Sequence, residues 1–430
     1  MISSNLKITF VLFLASLIPA QAATFNVRDF GAKGDGITFD TEAIQKSLNA
    51  CAGTGGSVLL PAGIYLSKPL EVRTKSTVVL EKGAILKASP CQSDWMKKPG
   101  DWLKVSSNAD FIPFIRGANL QDVTLTGEGV IDGGGEVWWG EAEKARQIKP
   151  GYTLPRPNLI VLKGCRNLKL ENITLRNSPK FHLVPTDCDG VKISNVTILA
   201  PERAANTDAI DPSNCRNVLI TRCLIDVGDD NIAIKAGQAV EGRNFACEEI
   251  TVTDCRFLHG HGLSIGSETL GGVHNVRVRN CSFENTENGI RIKSNPGKGG
   301  LVEDVTYDGI TMKNVNPAIT MTCSYALSSS GDKYQVKAVS KAPKTNGENI
   351  PKFRKIRISN LTATCQKNAG KIMGLPDSLI SDVFLENVNI SAPEPFVIEN
   401  AADIRMTNVL VTVAKGSPYQ LINAKVTGLP

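Results

Sequence analysis

Several residue types and patterns are scarce in this 430-residue chain, and each scarcity argues against a class of protein. The sequence has only four histidines and 6% aromatic residues, and its formal net charge is +6. It has no Lys/Arg run with interleaved aromatics, which argues against a nucleic-acid-binding surface. His259 and His261 are two residues apart with no third ligand nearby, so they do not form a metal-binding pattern, and no cofactor is expected.

The N-terminal residues predict an export signal. Lys7 supplies a positive charge, Ile8–Ile18 is apolar but too short to span a bilayer, and Ala20–Ala22 is a small-x-small cleavage site. A membrane anchor is the alternative, and the short apolar run argues against it. We expect residues 1–22 to be a signal peptide and the mature chain, residues 23–430, to be secreted into an extracellular or periplasmic space. Its mild positive charge suits a polyanionic ligand.

One short pattern recurs through most of the chain. An alternation of apolar and other residues is followed by Asn or a similar residue and then by a second such alternation. Most copies are about 20 to 30 residues apart, which is the spacing of a solenoid. The copies span Val123–Ile131, Asn167–Leu175, Val191–Ile198, Val218–Ile225, Ile250–Phe257, Val276–Phe283, Val305–Met312, Ile356–Ala363, Val383–Ile390 and Ile404–Val411.

Each copy is interpreted as a strand, a sharp bend and a second strand. The alternation turns one face of each strand inward, and Asn or Gly tolerates the left-handed backbone of a sharp bend. Stacked coils would bring equivalent strands about 4.8 Å apart and join their inward side chains into one core. The predicted fold is all-β, a single-stranded right-handed parallel β-helix. A leucine-rich repeat is the alternative, but it would have denser leucine and a different Asn placement.

The N-terminal part of the mature chain, about residues 23–66, is predicted to cover the open end of the solenoid. Asp40–Cys51 has a helical pattern, with Ile44, Leu48 and Cys51 on one face and Asp40 as its N-cap. Strand structure is expected to return from Ser57 to Leu66.

Three segments break the repeat and are predicted to be loops or insertions. Met96–Val105 and Trp138–Pro157 contain tryptophan and are expected to be able to wall a cleft. Cys323–Pro351 is rich in Ser and Lys.

Cysteine and asparagine residues at related repeat positions have a structural explanation. The chain has 11 cysteines, so at least one thiol stays unpaired within it. Three cysteines are expected to stack inside the core as small apolar groups: Cys223, Cys255 and Cys281. Five asparagines fit the N-x-[ST] glycosylation pattern, but the bend explains them without sugar: Asn172, Asn195, Asn280, Asn360 and Asn389.

Four consecutive coils carry unusual polar residues where another apolar strand begins. The segments are Asn206–Asp211, Gly228–Lys235, Gly260–Ser267 and Asn288–Lys293. Aligned on their first inward apolar residues, they place one set of polar residues in a single column: Asp208, Asp230, His261 and Asn288. The next outward column contains Asp211, Ala233, Ser264 and Arg291.

The carboxylates of these segments could form an acid–base pair. Because an unpaired buried carboxylate is costly, Asp230 is expected in the turn before its strand, where it and Asp229 face the same groove as Asp208. Carboxylates held close together raise the pKa of at least one of them, so one stays protonated while another is ionised. Hydrolysis of a glycosidic bond needs such a pair. Turn chemistry alone is the alternative explanation, but it does not explain four polar clusters in one column.

At these residues the sequence closely resembles the polygalacturonase family of glycoside hydrolases, family 28. Four signatures of that family occur in its order and spacing: Asn206–Asp208 (Asn-Thr-Asp), Gly228–Asp230 (Gly-Asp-Asp), Gly260–Gly262 (Gly-His-Gly) and Arg291–Lys293 (Arg-Ile-Lys). The resemblance extends from Gly31 to the late coils. One departure is Ala209, where the family often has Gly.

The resemblance implies hydrolysis of α-1,4-galacturonosidic bonds of pectin with inversion. Asp229 would be the general acid, Asp208 and Asp230 would activate the attacking water, and His261 would hold the hydrogen-bond network of the acid. Endo action is favoured over exo action, although the motifs leave both open.

The resemblance also implies the partner. Arg291 and Lys293 would bind the uronate carboxylate of a galacturonan, which agrees with two fixed outward cations favouring an anion. A monomer is expected. Two alternatives stay open: a pectate-lyase-type enzyme, which shares the β-helix but uses Ca²⁺ and β-elimination, and a non-catalytic carbohydrate-binding β-helix.

Overall fold

The computed structural model describes residues 23–149, 152–237, 245–325 and 349–429. The predicted signal peptide and most of the Cys323–Pro351 insertion lie outside the described residues. The helices are α1 (Thr41–Cys51) and α2 (Glu136–Ile148), and short 3-10 helices span Val27–Phe30, Gln92–Trp95, Trp102–Lys104 and Asn108–Asp110. Among these described residues, no helix is both long and apolar enough to traverse a bilayer.

Short strands make up most of the described chain. Strands β1 to β16 are Thr24–Asn26, Asp35–Phe39, Ser57–Leu60, Gly63–Ser67, Leu70–Glu71, Ser76–Leu80, Ala84–Ala88, Ile115–Ala118, Gln121–Thr126, Val130–Asp132, Ile160–Lys163, Arg166–Glu171, Thr174–Arg176, Leu183–Thr186, Asp189–Ser194 and Thr197–Leu199. Strands β17 to β32 are Arg216–Thr221, Leu224–Asp226, Ile232–Ala236, Cys247–Thr253, Arg256–Phe257, Leu263–Thr269, Val273–Arg279, Ser282–Glu284, Ile290–Lys293, Leu301–Val315, Ile319–Thr322, Lys352–Cys365, Asn368–Met373, Ile380–Ala392, Glu394–Val413 and Tyr419–Thr427.

The strands stack in three parallel columns, which confirms the predicted parallel β-helix. The first column contains β1, β3, β6, β9, β12, β15, β17, β20, β23 and β26, and the second contains β2, β4, β7, β10, β13, β16, β18, β21 and β24. The third column, which carries the four polar segments, runs from β5 through β8, β11 and β14 to β19, β22, β25, β27 and β29. The long late strands bend and serve more than one column.

The register of the first column confirms the predicted repeat. The first apolar residue of successive copies is paired with its counterpart one coil on, and all of these side chains are buried. They are Val123, Leu168, Val191, Val218, Ile250, Val276, Val305, Ile356, Val383 and Ile404. The apolar core is therefore a continuous rod inside the coils, and polar groups outside it are held in fixed rows.

The bends also follow the prediction, with one exception. Four of the five asparagines have φ values between 51° and 60°, in the left-handed region: Asn172, Asn195, Asn280 and Asn360. Gly127, at the equivalent position, has φ 112°. The prediction was wrong for Asn389, which is exposed within β30, because the bend of that coil falls at Asn387 (φ 53°) instead.

Helix α1 packs on the first coils through the predicted face, since Ile44, Leu48 and Cys51 are buried. The helix begins after Asp40, but the expected side-chain cap is absent. The Asp40 carboxylate instead accepts hydrogen bonds from the backbone N–H groups of Lys33 (2.6 Å) and Gly34 (2.9 Å). The aspartate therefore fixes the preceding loop.

The tryptophan-containing segments form a buried aromatic cluster beside the coils. The ring centroid of Trp138 lies 4.9 Å from that of Trp102 and 6.0 Å from that of Trp95. Trp138 lies in α2, so the first half of the predicted loop or insertion from Trp138 to Pro157 is an inserted helix. The ring of Trp95 lies 5.5 Å from that of Phe114, directly before β8, so the cluster lies beside the third column.

All eleven cysteines lie within the described residues and are free. Cys223, Cys255 and Cys281 are buried one coil apart, as predicted. A second buried set stacks in the same way: Cys165, Cys188, Cys215 and Cys247.

Candidate active site

The third column brings the four polar segments together in the predicted register. Ile210 pairs with Ile232, Ile232 with Leu263, and Leu263 with Ile290. Asp208, Asp230, His261 and Asn288 each stand two residues before one of these positions. As expected, Asp230 lies in the turn before β19 and not in the strand.

Glycines permit the close packing of these turns. Gly260 has φ 104°, and an added Cβ atom would lie 2.5 Å from the Asp229 carbonyl oxygen. At Gly262, with φ 78°, an added Cβ would lie 2.1 Å from the Asn288 carbonyl oxygen. The Gly-His-Gly sequence is therefore required for His261 to sit between its neighbouring coils.

His261 lies between two carboxylates. Its Nδ1 is 3.0 Å from Asp229 Oδ1, and its Nε2 is 3.0 Å from Glu287 Oε2. Burial alone would lower the pKa of His261, but the charges and hydrogen bonds of these two carboxylates raise it well above its ordinary value. Burial likewise favours protonation of Asp229, yet His261, Lys293 and Arg291 together lower the pKa of Asp229. The pair thus holds one proton, which resides on the imidazole.

Asp230 is an anion fixed by cations. Its Oδ1 accepts hydrogen bonds from Ser264 Oγ (2.8 Å) and Arg291 Nη1 (3.0 Å), and its Oδ2 accepts one from Lys293 Nζ (2.6 Å). Burial raises the pKa of Asp230, but Lys293 and Arg291 outweigh burial and lower it. Lys293 is itself buried.

Asp208, unlike Asp230, favours the protonated form. Burial and the charges of Asp211 and Asp229 raise its pKa well above the ordinary value, against the effect of Lys235. Lys235 Nζ is 3.5 Å from Asp208 Oδ2 but only 2.5 Å from Asp211 Oδ2, and burial raises the pKa of Asp211 to about 6. Asp208 Oδ1 is buried and has no hydrogen-bond partner in the part of the chain that the structure describes.

The structure brings all six sequence-predicted site residues together, but not equally close to solvent. Asp208 and Asp230 are buried, whereas Asp229 and His261 are partly exposed. The outward column beside them is also more covered than expected, since Asp211, Ala233 and Ser264 are buried and Arg291 is not.

Several residues of the site were not identified from the sequence. Glu287 directly precedes Asn288, so the column alignment could have shown it, and Ser264 was placed in the outward column but given no role. Tyr325 lies at the start of the Cys323–Pro351 insertion and gave no signal, yet its ring centroid is 5.2 Å from the Arg291 guanidinium and 5.0 Å from Lys293 Nζ.

Arg156 supports the site from outside the repeat. It is buried in the segment after α2, and its Nη2 donates to Asn206 Oδ1 (3.0 Å). Asn206 Nδ2 in turn donates to Asp229 Oδ2 (3.4 Å). Burial lowers the pKa of Arg156 to about 10. Arg156 is therefore linked to the Asp229 carboxylate through Asn206.

Three groups of the site are close enough to share a cation. One ligand atom each from Asp229, Asp230 and His261 lies within 4.8 Å of the others. However, Asp230 is already neutralised by Arg291 and Lys293, and the proton on His261 opposes metal binding at that ring. These donors do not fit a resident metal ion.

The site holds one neutral carboxyl group beside ionised carboxylates, in a groove on stacked β-strands. This arrangement is typical of a glycoside hydrolase. This is the class that fold and site define. The chain belongs to Glycosyl hydrolases family 28, whose model matches residues 57–410.

Similar proteins come from several bacteria. The chain is 33% identical over 372 residues to an endo-polygalacturonase of Pectobacterium carotovorum subsp. carotovorum, covering 84% of this chain and 86% of the relative. The solved polygalacturonase from Erwinia carotovora ssp. carotovora is 31% identical with a TM-score of 0.73, covering 95% of this chain and 98% of that one. An exopolygalacturonase from Thermotoga maritima is 26% identical with a TM-score of 0.71, covering 91% and 93%.

Proposed function

We propose that this enzyme hydrolyses the α-1,4-galacturonosidic bonds of pectin or polygalacturonate. The observation that carries the proposal is the juxtaposition of Asp208, Asp229 and Asp230 with opposite protonation preferences around His261. Family membership and the names of its relatives support the substrate. The arrangement suits hydrolysis, because it supplies both a proton and a base in one groove.

The proton for the leaving sugar oxygen is assigned to the Asp229–His261 pair. Asp229 faces the groove and delivers the proton, and His261 stores it in the free enzyme across a 3.0 Å hydrogen bond. Glu287 keeps the imidazole protonated from its other side. Because His261, with Lys293 and Arg291, lowers the pKa of Asp229, the shared proton rests on the imidazole in the free enzyme.

The attacking water is assigned to Asp208 and Asp230. Asp208 Oδ1, which has no hydrogen-bond partner among the described residues, has its lone pairs available for a proton from water. Because the pKa of Asp208 is raised, the carboxylate is a stronger base than an ordinary aspartate once it is ionised. Asp230 cannot turn freely, since both its oxygens are held, and it orients the water. Water and acid on opposite sides of the sugar give inversion.

The substrate carboxylate is assigned to the partly exposed Arg291, with Lys293 behind it. Both cations contact Asp230, so they form a three-membered charge cluster with net positive charge. The ring of Tyr325 covers this cluster and offers a face to a sugar. A uronate binding here would complete the charge balance.

Endo action is proposed over exo action. The groove continues past Arg291 as a cleft of about 740 Å³ whose far end is lined by Gln420. A cleft that continues beyond the catalytic residues accommodates several sugars on that side of the cleaved bond. We further propose export after removal of residues 1–22 and a monomeric mature chain. The first strand, Thr24–Asn26, follows the proposed cleavage site directly.

Product sizing on polygalacturonic acid with EDTA present tests these assignments. Wild type should release reducing ends, with mixed oligomers early if it acts as an endo enzyme, and Asp229→Asn should be inactive. Only monomer or dimer would indicate exo action. An unsaturated product absorbing in the ultraviolet and lost in chelator would indicate a lyase. Binding without any reducing ends in wild type would indicate a carbohydrate-binding β-helix and overturn the proposal.

A further inference from the structure

The cleft that begins at the active site extends over several coils on one side of it. Arg291 and Glu287, which contact Asp230 and His261, line its near end. Its walls farther along include Lys371 in β29 and Gln420 in β32. The cleft therefore joins the catalytic groups to residues that take no part in the chemistry.

Lys371 occupies the same outward column as Arg291. Arg291 pairs in register with Thr320, and Thr320 pairs with Lys371. Two coil spacings of about 4.8 Å put the two backbone positions about 10 Å apart. Between them stands the small Thr320 side chain, whose Oγ1 donates to Asn288 Oδ1 (3.0 Å). The column thus presents two cations with a neutral residue between them.

The surroundings of Lys371 favour an added anion. Burial in the cleft wall and the charge of Lys367 lower the pKa of Lys371 to about 8, although Glu394 opposes this. Glu394 is shared with other groups: Lys367 Nζ lies 3.9 Å away, and Asn368 Nδ2 donates to it. A carboxylate brought by a ligand would therefore strengthen the charged state of Lys371.

We propose that Lys371 binds a uronate carboxylate of the polysaccharide, farther from the cleaved bond than the one at Arg291. The proposal rests on the proposed function and deepens it. It makes Lys371 a specificity residue that selects for an unesterified sugar at this distance, because a methyl ester carries no charge for the ammonium to meet. The catalytic groups play no part in this contact.

Chain-length kinetics test the proposal. Wild type, Lys371→Met and Lys371→Arg are compared on unesterified oligogalacturonates, from the shortest oligomer cleaved to one of at least six sugars. Lys371→Met should lower kcat/KM on the long oligomer about tenfold, mainly through KM, because one charge-assisted contact is lost. Lys371→Met should change kcat/KM on the shortest oligomer less than about twofold. Lys371→Arg should restore most of the dependence of kcat/KM on oligomer length. Lys313→Met, at an exposed lysine outside the cleft, is the matched control.

A direct binding measurement separates this inference from the proposed activity. Titration of a hexagalacturonate into Asp229→Asn should give a Kd about tenfold lower than into Asp229→Asn/Lys371→Met. Equal losses of kcat/KM at all lengths would show that Lys371 is only structural, and no loss at any length would show that it is not a subsite. Failure of wild type to cleave any oligomer would overturn the hydrolase assignment, while the titration would still decide on Lys371.

Discussion

Lys293 Nζ lies 2.6 Å from Asp230 Oδ2, and the two residues are only 5% and 2% exposed. Arg291 Nη1 holds the other carboxylate oxygen from the same strand. Lys293, which is assigned to substrate binding, is therefore also the counterion of a buried carboxylate whose catalytic role is proposed. The position of the Asp230 carboxylate and the stability of the central coils therefore depend on the same pair.

Removing one partner of this pair should destabilise the protein strongly. Lys293→Met leaves the buried charge of Asp230 with only Arg291, and the expected loss in free energy of unfolding is about 3–5 kcal/mol. Lys144→Met, which breaks an exposed pair with Glu141, should cost less than about 1 kcal/mol. Urea unfolding followed by circular dichroism measures both variants.

The double variant Asp230→Asn/Lys293→Met identifies the cause of that loss. Because it removes the buried anion as well, it should be more stable than Lys293→Met alone. If the double variant is no more stable, the loss comes from packing and not from the uncompensated charge.

The asparagine bends make a second prediction. Asn195 has φ 54°, and its Nδ2 donates to Asn172 Oδ1 (2.8 Å) on the preceding coil. Asn195→Ala should cost about 1–2 kcal/mol, because alanine disfavours the left-handed backbone. Asn195→Gly should cost less than the alanine variant, since glycine adopts the left-handed backbone conformation without strain. Asn389→Ala, at an exposed strand position, should be close to neutral; equal losses at the two sites would contradict the bend assignment.

The difference between Asn195 and Asn389 shows how much of the fold could be predicted from the sequence. The alternating pattern predicted the strands and their register, because apolar residues must face one interior and an error of one residue would expose them. Asn389 has the same tripeptide pattern as Asn195, and only the register revealed that Asn387 takes the bend. In the same way, coil alignment predicted Asp208, Asp230 and His261, since their column is a consequence of the repeat.

Contacts made from outside the repeat could not be predicted in that way. Arg156 and Tyr325 reach the site from irregular segments whose path depends on side-chain packing, not on periodicity. The protonation pattern of the carboxyl groups could also be predicted only in part from the sequence. The sequence predicted that one carboxyl would stay neutral, but the burial of Asp208 and the cations beside Asp230 decide which one.

Asp208 should make the protein less stable as the pH rises. Its folded-state pKa is raised above the unfolded value, so the folded chain binds more protons and this contribution is full below the unfolded pKa. It is lost progressively from about pH 4 up to the folded pKa, at about 1.4 kcal/mol for each unit of difference. Asp208→Asn should therefore be more stable than wild type near neutral pH, although inactive.

Asp189→Asn is the control, because it should change the pH dependence of stability in the opposite direction. Arg216 and Asn217 lower the pKa of Asp189, so its ionised form stabilises the fold above the unfolded pKa and that contribution is lost in acid. Urea midpoints measured at several pH values should diverge from wild type in opposite directions for the two variants. Parallel curves for Asp208→Asn and wild type would contradict the raised pKa.

His261 should set the alkaline limb of the activity profile. In the proposed mechanism kcat/KM rises as Asp208 ionises and falls when the Asp229–His261 pair loses its proton. The raised pKa of His261 places that fall above about pH 6.5, the ordinary histidine value. His261→Gln removes the imidazole that carries this proton, and with it the largest influence that lowers the pKa of Asp229, so the alkaline limb should leave its wild-type position and kcat should fall about 10²–10⁴-fold. His259→Gln, which alters a histidine bonded to Asp226 outside the catalytic set, should leave the limb in place. An unchanged limb in His261→Gln would mean that the leaving sugar receives its proton from another group, and Asp208, the neutral carboxyl of the free enzyme, would then be the acid.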